Sequence, residues 1–157
     1  MVNPASLPDQ GGAPPRILAL DFGSRRIGLA LSDELGVTAQ GLPTLLRTNK
    51  RNDLDHLRRL IRQHGVSEIV MGLPLRMSGE EGRQSDKVKE FAEELRRKFK
   101  LPVHLFDERL TSVEANRLLR ESEVSVRGRP EVVDQMAAGL ILQAFLEFRR
   151  SQRTTSG

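Results

Sequence analysis

The chain has 157 residues, 38% of them hydrophobic, which suits one domain that buries its own core and is too apolar for wholesale disorder. It has no cysteine, which excludes a disulfide framework, a thiolate nucleophile and a thiolate zinc site, and no apolar run approaches the ~18 residues of a membrane span. Lys and Arg number 25 against 21 Asp and Glu, a net charge of +4 carried mostly by arginine, which favours an anionic partner, nucleic acid first.

In chain order, residues 1–15 (MVNPASLPDQGGAPP) are rich in Pro, Gly and small polar residues and read as a disordered leader without the apolar core of a signal peptide. Arg16 to Leu20 read as a buried strand that ends at Asp21. A tight hairpin around Gly23 and Ser24 joins it to a second strand, Ile27 to Leu31. A third strand falls between Val37 and Leu46, and its breaks at Gly41 and Pro43 suit a sheet edge. Leu54, Leu57, Leu60 and Ile61 recur at helical spacing, and Gly65 can stop that helix. Ser67 to Leu73 form a buried strand, followed by a polar loop over 75–84. A second helix carries Val88, Phe91, Ala92, Leu95 and Phe99, and a fifth strand runs from Pro102 to Phe106.

Thr111 or Ser112 can cap a helix through Leu119, with Glu114 as the acid of a capping box. A loop over 121–130 precedes a last helix from about Glu131 to Arg150, and residues 151–157 read as a polar tail. The pattern β-β-β-α-β-α-β-α-α predicts a single α/β domain over 16–150, a mixed five-stranded sheet with helices on both faces.

Three acids stand where acids are costly. Asp21 ends the first strand, Glu108 follows the fifth, and Asp134 shares a helix face with Ala138, Ile141 and Phe145. If the first and fifth strands lie side by side, Asp21 and Glu108 share one sheet edge, where open α/β sheets build their sites. Taken singly, each acid has an ordinary reading: a turn, a solvated strand exit, a helix N-terminus. Taken together, close carboxylates need a shared proton or a cation, and three oxygen ligands favour Mg²⁺ or Mn²⁺ over zinc. Asp107 and Glu108 face opposite ways along a strand, so one of the two reaches the site, and Glu108 is the expected one. His56, His64 and His104 are too scattered for a metal set. With no Trp or Tyr and six Phe, stacking platforms for bases are few, so a nucleic acid would be held by its backbone. Arg25, Arg26, Arg76, Arg83, Arg109, Arg127 and Arg129 are the candidates for holding phosphates, and Gly23 and Gly72 for letting backbone approach a ligand.

Asp21-Phe-Gly-Ser-Arg-Arg-Ile-Gly28, Gly72-Leu-Pro74 with Ser78-Gly79-Glu80, Asp107-Glu-Arg-Leu-Thr-Ser112 and Val133-Asp-Gln-Met-Ala-Ala138 occur in this order. Together they resemble the YqgF family, also called RuvX, over residues 16–150. The resemblance implies an RNase H-like fold and a cytoplasmic nuclease that matures the 5′ end of pre-16S ribosomal RNA. It carries the family's active-site acids onto Asp21, Glu108 and Asp134, with two divalent cations as cofactors in phosphodiester hydrolysis. The family's kinship with RuvC keeps a second reading open, a resolvase of structured DNA, which would need a homodimer. A third is a non-catalytic RNA- or transcription-associated binding protein. The sequence does not distinguish monomer from homodimer.

Overall fold

A computed structural model describes residues 13–74, 82–110 and 130–156. Five strands form one sheet: β1 (Arg16–Phe22), β2 (Arg26–Ser32), β3 (Ala39–Leu46), β4 (Val66–Leu73) and β5 (Val103–Asp107). Their order across the sheet is β3-β2-β1-β4-β5. The pairs β1–β2 and β2–β3 are antiparallel, and β1–β4 and β4–β5 are parallel, so the sheet is mixed as expected. β1 and β5 are not side by side, because β4 lies between them. The ends of β1 and β5 still share one edge, since all three parallel strands point the same way.

Strand alternation divides the core in two. Leu18, Leu20 and Phe22 of β1 face helices α1 (Lys50–His64) and α2 (Arg83–Phe99), with Leu54, Leu57, Val88, Phe91 and Leu95 packed on them. Ile17 and Ala19 face the other way, onto α3 (Pro130–Ser156), where Ala138, Ile141, Leu142, Phe145 and Leu146 cover them. Alongside Ile17, Val70 and Phe106, the α3 face of the sheet carries the small residues Ala19, Gly28, Ala30, Gly41 and Gly72. That lets one long helix lie close across the strands.

Local chemistry sets the helix ends. Asn49 caps α1 by accepting the Asn52 N–H at 2.8 Å, and Gly65 closes it in the left-handed region at φ 63°. The N-terminus of α2 is tied to two strand ends: Gln84 Nε2 donates to the Phe22 carbonyl at 2.9 Å, and the buried Ser85 hydroxyl donates to the Pro74 carbonyl. Helix α3 continues through Ser156, past Arg150, where the sequence suggests a disordered tail. Ser-Gln-Arg-Thr-Thr contains no residue that breaks a helix, so nothing stops it there. The expected helix from Thr111 to Leu119, the loop over 121–130 up to Arg129, and most of the loop over 75–84 lie outside the described residues. None of the described helices is long and apolar enough to cross a membrane.

Candidate active site

Asp21 is the last residue of β1 to pair with β2, and its partner there is Gly28. On the other side, β1 and β4 stay in register as far as Leu20 and Met71, so the next β4 residue, Gly72, flanks Asp21. Odd positions of β1 face α3, so the Asp21 carboxylate lies on that side, half-buried among Ile17, Ala19 and the helix.

The two flanking glycines make the site. A Cβ at Gly28 would stand 2.2 Å from the Asp134 carbonyl oxygen and 3.1 Å from the Asp134 Cβ. The first turns of α3 can therefore descend onto β2 only because position 28 has no side chain. A Cβ at Gly72 would stand 2.6 Å from Glu108 Oε1 and 2.7 Å from Ile141 Cδ1. Gly72 thus leaves the gap across β4 through which Glu108 reaches toward Asp21. Beyond β5 the chain tightens into a 3-10 turn, Glu108–Leu110, which swings Glu108 back over the sheet.

Electrostatics agree with this crowding. Burial and the Asp134 charge push the Asp21 carboxyl up to about 6. Burial, then Asp21, then Asp107 push Glu108 up to about 7. Each acid is thus within electrostatic reach of the next. Asp134 has a counter-charge: Arg26 Nε donates to its Oδ2 at 2.6 Å. Asp107 is engaged elsewhere, accepting from the Arg109 backbone N–H at 2.9 Å and from its guanidinium at 2.8–3.1 Å, which hold its carboxyl below the usual range. Asp107 thus pairs with Arg109, whereas Glu108 lies beside Gly72.

The donor set suits a hard divalent cation, because half-buried carboxylates that repel one another gain most from a charge placed between them. The two glycines let Asp134 and Glu108 come close to the sheet beside Asp21. Among the described residues, no group of three or more His, Cys, Asp or Glu side chains is arranged to hold a metal ion as it stands. Arg26 is the cation that Asp134 touches here.

Of the proposed phosphate ligands, Arg25 and Arg26 lie at the β1–β2 turn beside the acids, Arg83 is exposed at the start of α2, and Arg109 is spent on Asp107. Arg76, Arg127 and Arg129 lie outside the described residues. Gly23 has a different reason from the one expected: its Cβ would meet the Arg26 carbonyl at 2.7 Å, so the turn itself requires glycine. The space beside Gly72 is likewise filled by the chain's own Glu108 and Ile141.

Sequence reasoning missed Arg47. Its Nη1 donates to the carbonyls of Gly23 at 2.9 Å and Ser24 at 3.3 Å, and its guanidinium stacks 4.5 Å over the Phe22 ring. Its Nε faces Asp53 Oδ2 at 3.4 Å, and Asp53 is a buried carboxylate 2% exposed. The signal available was an acid four residues after the Asn49 cap, on the buried side of α1, with one arginine near enough to neutralise it.

Comparison with known proteins follows the same outline. A family model described as "RuvX: Holliday junction resolvase" matches residues 15–148. A curated relative from Koribacter versatilis is 63% identical over 138 residues, 88% of this chain and 90% of its own length. One from Moorella thermoacetica is 52% identical over 132 residues, 84% of this chain and 94% of its own. Both carry the name "Putative pre-16S rRNA nuclease". Among solved structures, T. thermophilus RuvC in complex with a Holliday junction substrate superposes with a TM-score of 0.53 at 14% identity, over 86% of this chain and 96% of that one. The likeness shows a shared RuvC-type, RNase H-like fold.

Proposed function

The chain belongs to the RuvX family, and on that premise we propose that it is a metal-dependent endonuclease that trims the 5′ end of pre-16S ribosomal RNA, with Asp21, Glu108 and Asp134 as its acids. The coarser activity, phosphodiester cleavage by a nuclease, follows from the family and its named relatives. The observation that supports the finer reading is the convergence of three carboxylates over Gly28 and Gly72, two of them held well above their ordinary proton affinity.

Asp21, Glu108 and Asp134 are the residues that would hold divalent cations, Mg²⁺ or Mn²⁺. Bound there, the cations supply Lewis acidity, making a water nucleophilic at neutral pH and offsetting charge on the leaving oxygen. The side chains of this protein do the rest by position. Asp21 and Glu108 release their protons as the site fills, since both carboxyls ionise reluctantly in the empty cradle. Arg26 fixes the Asp134 carboxylate and, with Arg25, presents charge to the phosphates that flank the cut. Arg83, Arg76, Arg127 and Arg129 are assigned to more distant phosphates.

The test is cleavage of a precursor fragment spanning the 5′ end of 16S rRNA, with and without Mn²⁺, alongside a four-way DNA junction. Wild-type protein is expected to cut the RNA only with the metal, and D21N to lose at least a hundredfold in rate while binding the RNA as before. Preference for the junction would move the reading to a resolvase. Binding without cleavage of either substrate would leave a non-catalytic RNA-binding protein.

A further inference from the structure

We infer that the cavity walled by Arg25, Arg26 and Arg47 beside the β1–β2 turn is a phosphodiester-binding subsite, seating a backbone phosphate next to the one that is cut. The inference rests on the nuclease reading above and deepens it, naming where the strand enters and adding Arg47 to the residues that receive it.

The cavity has a volume of about 410 Å³ and is otherwise lined by Ser24, Leu46, Thr48, Asn49 and Asp53. Three guanidiniums border it against one carboxylate, Asp53. That carboxylate is already committed, accepting the Thr48 N–H at 3.1 Å through Oδ1 and facing Arg47 through Oδ2. Arg26 is matched by Asp134, and Arg25 is exposed and forms no ion pair among the described residues. Like-charged groups gathered round a polar hollow with too few anions to match them call for an anion from outside.

The hollow is also rigid. The Arg47 backbone N–H donates to the Arg25 carbonyl at 2.9 Å, its Nη1 binds the carbonyls of Gly23 and Ser24, and Phe22 lies under its guanidinium. Arg47 therefore clamps the turn that carries Arg25 and Arg26 to the start of α1, so little freedom is lost when a phosphate arrives. Arg26 is common to the cavity wall and the Asp134 ion pair, which puts this subsite directly beside the acids.

A second cavity of about 610 Å³ lies beyond Arg47 and Ser24 and sharpens the assignment. Arg47, Lys50 and Lys87 line it, but so do Glu90, Glu93 and Glu94. Its charges cancel, so it offers a phosphate nothing, and the strand leaves the acids through the arginine cavity rather than over α2.

The test is binding of a labelled precursor 16S 5′-leader RNA to the D21N protein without divalent cation, between 50 and 200 mM salt. R25Q and R47M, each added to D21N, are expected to weaken binding five- to tenfold and to lower the salt slope by about one. Melting temperature checks each fold; if R47M does not fold, R25Q decides alone. RNAs bearing a single neutral methylphosphonate give the second measurement: at one position the neutral linkage should weaken D21N but not D21N carrying R25Q. Unchanged affinity and slope for R25Q, or equal loss for both proteins at every position, would overturn the subsite. Loss of Mn²⁺-dependent cleavage with these binding effects intact would instead remove the nuclease reading and leave the subsite standing.

Discussion

Asp21 sits in a cradle that resists its charge, and that resistance is measurable. Its carboxyl is raised from 3.8 to about 6 by burial and by Asp134. A raised acid stabilises the fold below its unfolded value and loses that contribution as pH climbs through the folded one. Metal-free protein is therefore expected to lose stability between about pH 4 and pH 7, with Glu108, raised to about 7, adding to the trend. At pH 8 in chelator, D21N should melt higher than wild type, by on the order of 2 kcal/mol, as thermal unfolding can read. A D21N protein that melts lower at that pH would mean the charge is not strained. Glu68 behaves in the opposite sense. Arg149, binding it at 2.5 and 2.9 Å, and His104 at 2.8 Å hold its carboxyl below the usual range. Its contribution is present above the ordinary carboxylate range and disappears as pH falls through the lowered value. E68Q should cost about 1 kcal/mol at pH 7 once solvent screening is allowed for. The gap to wild type should close in a urea titration as the pH falls below the ordinary carboxylate range. At this scale the sequence was informative about acids and blind to Arg47. An acid at a strand end announces itself by its position, whereas an arginine that folds back onto two carbonyls and a ring depends on a turn no local pattern specifies.

The element that most constrains the site is the pair of strand glycines. G28A drives a Cβ into the Asp134 backbone, which can move only if the start of α3 moves with it. G72A drives one into the end of the flexible Glu108 side chain and the tip of Ile141. G28A is accordingly expected to lose about 1–3 kcal/mol of stability and G72A less, in the range of overpacked cores. G72A should still abolish cleavage by turning Glu108 out of the cradle. Denaturant unfolding beside a cleavage assay checks both, and the reverse ranking of stabilities would contradict the packing. Most elements were legible because their signals are local: Gly65 closes α1, the alternation of β1 survives in its two core faces, and Gly41 and Pro43 mark β3 as the edge. The position of β4 between β1 and β5 was not legible, since strand order is set by how helices cross the sheet. The end of α3 was missed because a polar, breaker-free segment looks the same on a helix as off it.

For the molecule as a whole, the excess of arginine indicated an anionic partner, and the fold concentrates three of those arginines on one side of the acids. That Asp21 feels the charge of Asp134, and Glu108 that of Asp21, was foreseeable only as a possibility of the fold class. The glycines that permit it were visible in the sequence, although not the reason for them.

Calorimetric titration with Mn²⁺ of wild-type, D21N, E108Q and D134N proteins tests the shared site most directly. Wild type should bind the ion and release more protons at pH 6 than at pH 8, because Asp21 and Glu108 must ionise to take it. Each substitution should weaken binding at least tenfold. Three variants that bind Mn²⁺ as wild type does, with proton release indifferent to pH, would contradict the account.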